Sequence, residues 1–357
     1  GWRVDRVASH HPIRSAMASA PRRLGLLTGG GDCPGLNAVI RAASHRCARL
    51  GVELIGYRNG WEGVIEGSSV VLDRSAVKGI LPLGGTILGT SRTDPLLVPD
   101  GVARIRRTLE ADAVEGLIVV GGDGTLSAAL ELAEQGIRVV GVPKTIDNDL
   151  GGTDFTFGFD TAVAIATEAI DRLHTTAEAH NRVIVVEVMG RHTGWIAAYA
   201  GIAGGADVIL VPEYPFDVDS VCNRVRERQR RGRTFSIVVI AEGARPAGAA
   251  EPVERRSRVR AGEISAWLAR EMERCIDTET RTVVLGHIQR GGSPTAHDRV
   301  LATRFGVHAA DLAIAGGWGR MVSLRGTEIG DVPLSAAVRT LKRLDPAIWD
   351  IAKVFAQ

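Results

Sequence analysis

Leu117-Ile118-Val119-Val120-Gly121-Gly122-Asp123-Gly124-Thr125 sets four aliphatic residues directly against a glycine-rich turn that carries an aspartate. Residues 126–135 come next, with an amphipathic pattern that Gly136 stops. A short, continuously apolar run bounded by turn residues reads as a strand buried on both faces, and a helix-period segment after it as a crossover. The unit recurs. Similar runs stand at 24–27, 139–142, 183–188, 208–211, 237–240 and 283–285, and residues 161–174 carry Val163, Ile165, Ile170 and Leu173 at helical spacing. Strand, helix, strand, repeated, predicts a doubly wound α/β architecture around a largely parallel sheet.

The loops at the strand ends are more informative than the strands. Thr28-Gly29-Gly30-Gly31-Asp32, Gly121–Thr125, Pro143-Lys144-Thr145-Ile146-Asp147-Asn148-Asp149, Met189-Gly190-Arg191-His192, Ala241-Glu242-Gly243 and Gly286-His287-Ile288-Gln289-Arg290 all begin where an apolar run ends. Each alone reads as a tight turn in which glycine supplies a positive φ. Six that also carry charge are hard to assign to turns. In an open α/β sheet the carboxyl ends of the strands share one edge, where ligands bind, so the six loops are expected to converge on one cleft.

Composition narrows the class. A chain of 357 residues, 45% hydrophobic and 24% charged, has the balance of a folded globular protein, not of a disordered, collagenous or coiled-coil one. Its net charge of +2 argues against a protein that coats nucleic acid, and residues 224–233 read as a solvated helix face with Gly232 near its end. Only Lys78, Lys144, Lys342 and Lys353 among 43 basic residues are lysine, so a lysine inside a motif stands out. Cys33, Cys47, Cys222 and Cys275 form no CxxC pair or metal-ligand spacing, and four reduced cysteines in a cytoplasmic protein are expected. The nine histidines show no zinc spacing. The uncharged stretch 193–206 is too short to span a bilayer, so no membrane partner is expected. Residues 1–20 lack an apolar signal core and read as a disordered extension, with Met17 the expected native start; residues 244–260 read as an exposed loop.

Glycine loops entering helices favour phosphate, and arginines at 92, 182, 191, 281 and 290 match phosphate geometry. Asp123, Asp147 and Asp149 stand among them, and aspartate beside phosphate needs either Mg²⁺ between the two or a proton to remove. Together they point to magnesium-dependent phosphoryl transfer. The two common phosphate motifs fail. Gly30–Gly35 has GxxxxG spacing but is succeeded by Leu36-Asn37, and Gly29-x-Gly31 meets Pro34 where the dinucleotide fingerprint has glycine.

With these motifs the chain resembles the bacterial 6-phosphofructokinase family, in the branch that mixes ATP- and pyrophosphate-dependent enzymes. The resemblance runs from about Leu24 to Gly306. It rests on the segments 30–37, 84–92 (Gly-Gly-Thr-Ile-Leu-Gly-Thr-Ser-Arg), 121–125, 143–149, 189–194 and 286–294, in family order. It implies two Rossmann-like domains with the active site in the cleft between them. Residues 21–158 with 289–339 would form the phosphoryl-donor domain, and 159–288 with 340–357 the sugar-phosphate domain. It implies Asp147 as general base toward the 1-hydroxyl of fructose 6-phosphate, Thr145 holding the reacting group, Asp123 as the Mg²⁺ ligand and Asp149 as support for metal and base. Arg92 and Arg191 would offset charge on the moving phosphoryl group. Gly30, Arg92, Thr93, Gly122, Asp123, Gly124 and Thr125 would line the donor site. Thr145, Ile146, Asp147, Met189, Gly190, Arg191 and Glu242 would contact the sugar, and Arg182, Arg281, His287 and Arg290 its 6-phosphate. Arg182 and Arg281 would reach a neighbouring subunit, so at least a homodimer and usually a homotetramer is implied.

Donor choice divides two markers. Pyrophosphate-dependent members pair aspartate at position 124 with lysine at 144, and ATP-dependent members have glycine at both; this chain has Gly124 with Lys144. A carboxylate at 124 would meet the α-phosphate of ATP, whereas glycine leaves that space open and a lysine can move aside. ATP is therefore the expected donor, with pyrophosphate the alternative. A kinase for NAD or lipid shares only the 121–125 loop, and a non-catalytic sensing relative would be expected to have lost Asp123, Thr145 or Asp147. Arg41, Arg231 and Arg233, with His45 and His174 where arginine is expected, assign no regulator.

Overall fold

The computed structural model describes residues 22–249 and 260–356; the expected extension at 1–20, and 250–259 of the expected exposed loop, lie outside them. In chain order the elements are β1 (Arg23–Thr28), α1 (Leu36–Arg49), β2 (Glu53–Tyr57), α2 (Trp61–Glu66), β3 (Ser69–Val71), α3 (Gly101–Ala111), β4 (Leu117–Gly121), α4 (Asp123–Glu134) and β5 (Val139–Pro143). Next come α5 (Phe159–His180), β6 (Val183–Val188), α6 (Trp195–Ala203), β7 (Val208–Leu210), α7 (Val218–Arg230), β8 (Ser236–Ala241), α8 (Glu263–Cys275) and β9 (Thr280–Val284). A 3-10 turn at Gly286–Arg290 leads to α9 (Ala296–Ile314), β10 (Arg320–Arg325), β11 (Glu328–Pro333), α10 (Leu334–Val338) and α11 (Pro346–Ala356).

These strands make two sheets. The larger runs β11-β10-β5-β4-β1-β2-β3, parallel from β10 to β2, with an antiparallel strand at each edge. The smaller runs β7-β8-β6-β9 and is parallel throughout. In the larger sheet the chain moves outward from β1 to β2 and then crosses to β4 on the other side, so the loops after β1 and β4 flank a topological switch point.

Alternation along the strands explains the layers. Ile118 and Val120 face a core built with α1 and α9, while Leu117 and Val119 face one built with α2, α3 and α4. The first core continues through α5 to Ile184, Val186, Ile237 and Val239, so the two sheets share it. The outer face of the small sheet is covered by α7 and α8. Both sheets are thus covered on both sides, as the sequence pattern predicts, except at the edge strand β9, where Arg281, Thr282 and Val284 are exposed. Within the shared core α9 lies tight on α1: a Cβ on Gly306 would fall 2.6 Å from the Val39 carbonyl oxygen.

The four strands without a sequence signal have physical reasons. Gly56 interrupts the apolar run of β2, and a Cβ there would sit 2.5 Å from Leu88. The short β3 is largely exposed, and β10–β11 form an edge hairpin whose outer strand is mostly half-exposed and carries Glu328 and Asp331. The expectation of four reduced cysteines is corrected for one pair. Cys222 and Cys275 form a disulfide, their Cα atoms 6.3 Å apart, because α7 and α8 lie side by side on one sheet face. Sequence spacing does not reveal that adjacency. Cys33 and Cys47 are free and buried. Among the described residues no helix is long and apolar enough to cross a membrane.

Asp298, fully buried on α9, accepts from Thr161 N at 2.8 Å and Thr161 Oγ1 at 2.5 Å, tying α9 to the first turn of α5. Replacing it by alanine leaves that N–H without its partner, which costs about 1–3 kcal/mol. Asp298→Ala is expected to unfold at lower urea concentration than the parent chain.

Candidate active site

The strand ends open into a cleft of about 270 Å³ lined by Gly30, Gly31, Ser91 to Asp94, Gly122 to Thr125, Lys144, Thr145, Asp147, Asp149, Arg191 and Arg290. Five of the six expected loops meet there, and the sixth joins through Glu242, whose Oε1 accepts from Arg191 N at 3.0 Å.

Missing side chains allow the loops to approach. A Cβ on Gly29 would fall 2.7 Å from Thr125 Cγ2, so the first loop lies on the start of α4. Gly30 donates to Ser91 O at 2.9 Å and accepts from Thr90 Oγ1 at 2.6 Å, which straps the 90–94 segment alongside. Gly243 lies so close to the Arg191 carbonyl that a Cβ would be 1.8 Å from its oxygen. Cys33, in the first loop, has its thiol pushed up to about 12 by burial and is no nucleophile there.

The third loop holds the carboxylates. Asp147 is 4% exposed; its Oδ1 has no hydrogen-bond partner among the described residues, and its Oδ2 lies 3.9 Å from Arg191 Nε. Its backbone N–H donates to Thr145 Oγ1 at 3.0 Å, and its carbonyl accepts from Thr193 Oγ1 at 3.2 Å. Asp149, 9% exposed, is pushed up to about 7, chiefly by burial and then by the charges of Asp147 and Asp123, with Arg191 opposing. Burial raises Glu242 as well. Lys144 is 3% exposed and does not point aside: its ammonium donates to the Gly31 carbonyl under the first loop, and burial lowers its pKa. Arg290 donates to Asp32 O at 3.2 Å from the other side of that loop.

A family model described as phosphofructokinase matches residues 23–313. Over 340 residues the chain is 55% identical to the pyrophosphate–fructose 6-phosphate 1-phosphotransferase of Streptomyces coelicolor, covering 93% of this chain and 99% of that one. Over 342 residues it is 53% identical to the ATP-dependent 6-phosphofructokinase of Mycobacterium tuberculosis, with the same coverage. The chain belongs to the phosphofructokinase family. Its fold also matches a solved phosphofructokinase of Pichia pastoris with a TM-score of 0.81 and 31% identity, over 90% of this chain and 36% of that longer one.

Against the residues expected of a phosphofructokinase, the cleft gathers Gly30, Arg92, Thr93, Gly122, Asp123, Gly124, Thr125, Lys144, Thr145, Asp147, Asp149, Arg191 and Arg290. Others lie elsewhere. Ile146 is fully buried in the shared core and Met189 nearly so, so neither side chain lines the cleft, and Gly190 is buried beside Met189. Arg182 and Arg281 pair with Glu279 on the outer edge of the small sheet, and His287 is exposed on the 3-10 turn. The cleft adds Gly31, Ser91 and Asp94, neighbours of motif residues that sequence alone could not separate from turn-formers.

The donor set suits a hard divalent cation. Asp123 and Asp149 both line the cleft and offer carboxylate oxygens beside the glycine loops. Among the described residues no group of three or more His, Cys, Asp or Glu forms a closed metal cage. Mg²⁺ is commonly held by one or two carboxylates together with waters and substrate phosphates, and needs no such cage.

Asp149 makes stability depend on pH. Its folded pKa of about 7 lies above the ordinary value of 3.8, so ionisation costs the folded state nothing at low pH and the full penalty only above about 7. In metal-free buffer Asp149→Asn is expected to be more stable than the parent above pH 7, by at most about 4 kcal/mol. The gap should vanish toward pH 4, as measured by thermal midpoints across pH.

Proposed function

We propose that this chain transfers the γ-phosphoryl group of ATP to the 1-hydroxyl of fructose 6-phosphate, giving fructose 1,6-bisphosphate and ADP with Mg²⁺ as cofactor, in the cytoplasm. The observation that carries this reading is Asp147. Its carboxylate, largely buried and with one oxygen unpartnered among the described residues, lines a cleft that also holds Arg92, Arg191, Arg290 and two glycine loops. Such a carboxylate is placed to accept the proton of an incoming hydroxyl.

In this reading Thr145 fixes the backbone of the base through its bond to Asp147 N, and Thr193 holds it from behind. Arg191 and Arg92, more exposed than the carboxylates, swing toward the phosphoryl group as its charge spreads over three oxygens. Asp123, with Asp149 in support, would hold Mg²⁺, which would supply positive charge against the donor phosphates. Gly30 and residues 122–125 line the donor, and the start of α4 directs its N–H groups toward phosphate. The sugar lies against Thr145, Asp147 and Glu242, with Ile146, Met189 and Gly190 offering backbone only, and Arg290 and His287 meet its 6-phosphate. Arg182 and Arg281, turned outward, would complete the site of a neighbouring copy in a homodimer or homotetramer. The donor domain comprises 21–158 with 289–339, and the sugar-phosphate domain the remaining 159–288 with 340–357.

ATP is favoured because the Gly124 position is open: a Cβ there meets nothing within 4 Å among the described residues. Pyrophosphate is the second reading. It is favoured by Lys144, whose ammonium stays inside the cleft, and by the name of the Streptomyces relative. Fructose 1,6-bisphosphate formation, measured with ATP and pyrophosphate in parallel, separates the two; product with neither overturns the reading. Asp147→Asn is expected to lower kcat by about 10²–10⁴-fold with KM little changed. Gly124→Asp fits the open space and suits a helix N-terminus, so it should fold normally. It is expected to cut ATP turnover by about 100-fold or more while sparing pyrophosphate, each carboxylate–phosphate clash costing about 3 kcal/mol in a cleft of intermediate dielectric.

A further inference from the structure

Lys342 belongs to none of the six loops; it lies between α10 and α11, where Leu341 bridges Leu150 in antiparallel fashion. Its backbone N–H donates to Asp149 O at 3.0 Å, and its carbonyl accepts from Trp195 Nε1 at 3.1 Å. Its half-buried ammonium sits 4.8 Å from the Trp195 ring centre and 5.6 Å from that of Phe155, and donates to Asp154 O and, at 3.1 Å, to Asn148 Oδ1. Withdrawing an ammonium from water is costly; two aromatic faces and two oxygen acceptors offset that cost here.

Asn148 is the residue between the two carboxylates. It is fully buried and adopts φ +52°, a left-handed conformation uncommon outside glycine. Its Oδ1 also accepts from Thr156 N at 3.1 Å, so two donors meet one oxygen and fix the orientation of the amide. With this left-handed turn between them, Asp147 and Asp149 both line the cleft.

We propose that Lys342 is a positioning residue for phosphoryl transfer: by anchoring Asn148 in its left-handed turn it aims Asp147 and Asp149 into the cleft. The inference rests on Asp147 being the base. Displacing a reacting group by about 1 Å can cost about 100-fold in rate. Lys342→Met is therefore expected to lower kcat by about 10- to 100-fold, with KM for both substrates changed by less than about threefold. Asn148→Gly, which suits the positive φ but removes the carboxamide, should do the same, and the double variant should be no slower than the slower single. If Lys342→Met does not fold, Lys342→Arg, which keeps a cation over the two rings, enters the same cycle. A lower thermal midpoint with unchanged kcat, or losses that multiply in the double variant, would overturn the proposal. Asp147→Asn, assayed alongside, separates the two failures. If it loses kcat while the Lys342 variant does not, the positioning role alone falls; if it retains kcat, the base assignment falls and this inference with it.

Discussion

Carboxylates repel one another most where water cannot come between them, and Asp123, Asp147 and Asp149 share one cleft at the end of a buried sheet. Much of the local structure answers that repulsion. Arg191 sits near Asp147, the backbone on either side is tied to Thr145, Thr156 and Thr193, and the Asp149 carboxyl retains its proton to higher pH. A protein that needed only stability would dispense with such a cluster, since like charges crowded at the edge of a core are costly. The cluster makes sense where a ligand brings the opposite charge, and the cleft is shaped to admit one.

The same physics separates the roles of the basic groups. Arg191 is 48% exposed on its side chain, while Lys144 and Arg290 are buried against the first loop. The exposed guanidinium is free to track a charge that moves during reaction. The buried groups are committed to the carbonyls of Gly31 and Asp32, so they shape the loop as well as its field.

Legibility in the sequence tracks burial. Strands covered on both faces, such as β4, β6 and β8, announce themselves as apolar runs broken at most by one polar residue, Glu187 in β6 and Ser236 in β8, and the loops behind them can be read as one edge from the sequence alone. Edge strands such as β3 and β11 carry no such signal, because every one of their residues is at least partly exposed to solvent. Within the site, Asp147, Asp123 and Arg191 stand out by charge in a glycine context. Ile146 cannot be told from a cleft residue, since adjacent positions in a tight loop turn to opposite sides and only packing decides which meets the core. Lys342 is visible only as a rare residue type. Its partners Asn148, Asp154 and Trp195 come from distant segments, so spacing along the chain does not join them. The disulfide between Cys222 and Cys275 is hidden for the same reason.

The close seating of α9 on α1 also bears on how the chain is made. On the ribosome α1 emerges early with an apolar face of Leu36, Val39, Ile40 and Ala43, and α9 appears only after every strand of the small sheet. Until then that face and one side of the large sheet lack their cover, and β10 and β11 have yet to close the sheet's edge. Contacts so far apart in sequence form slowly, and exposed apolar surface in a growing chain invites aggregation. Nascent chains that stop short of α9 should therefore be clients of chaperones, and the last third of the polypeptide sets when the first third becomes soluble.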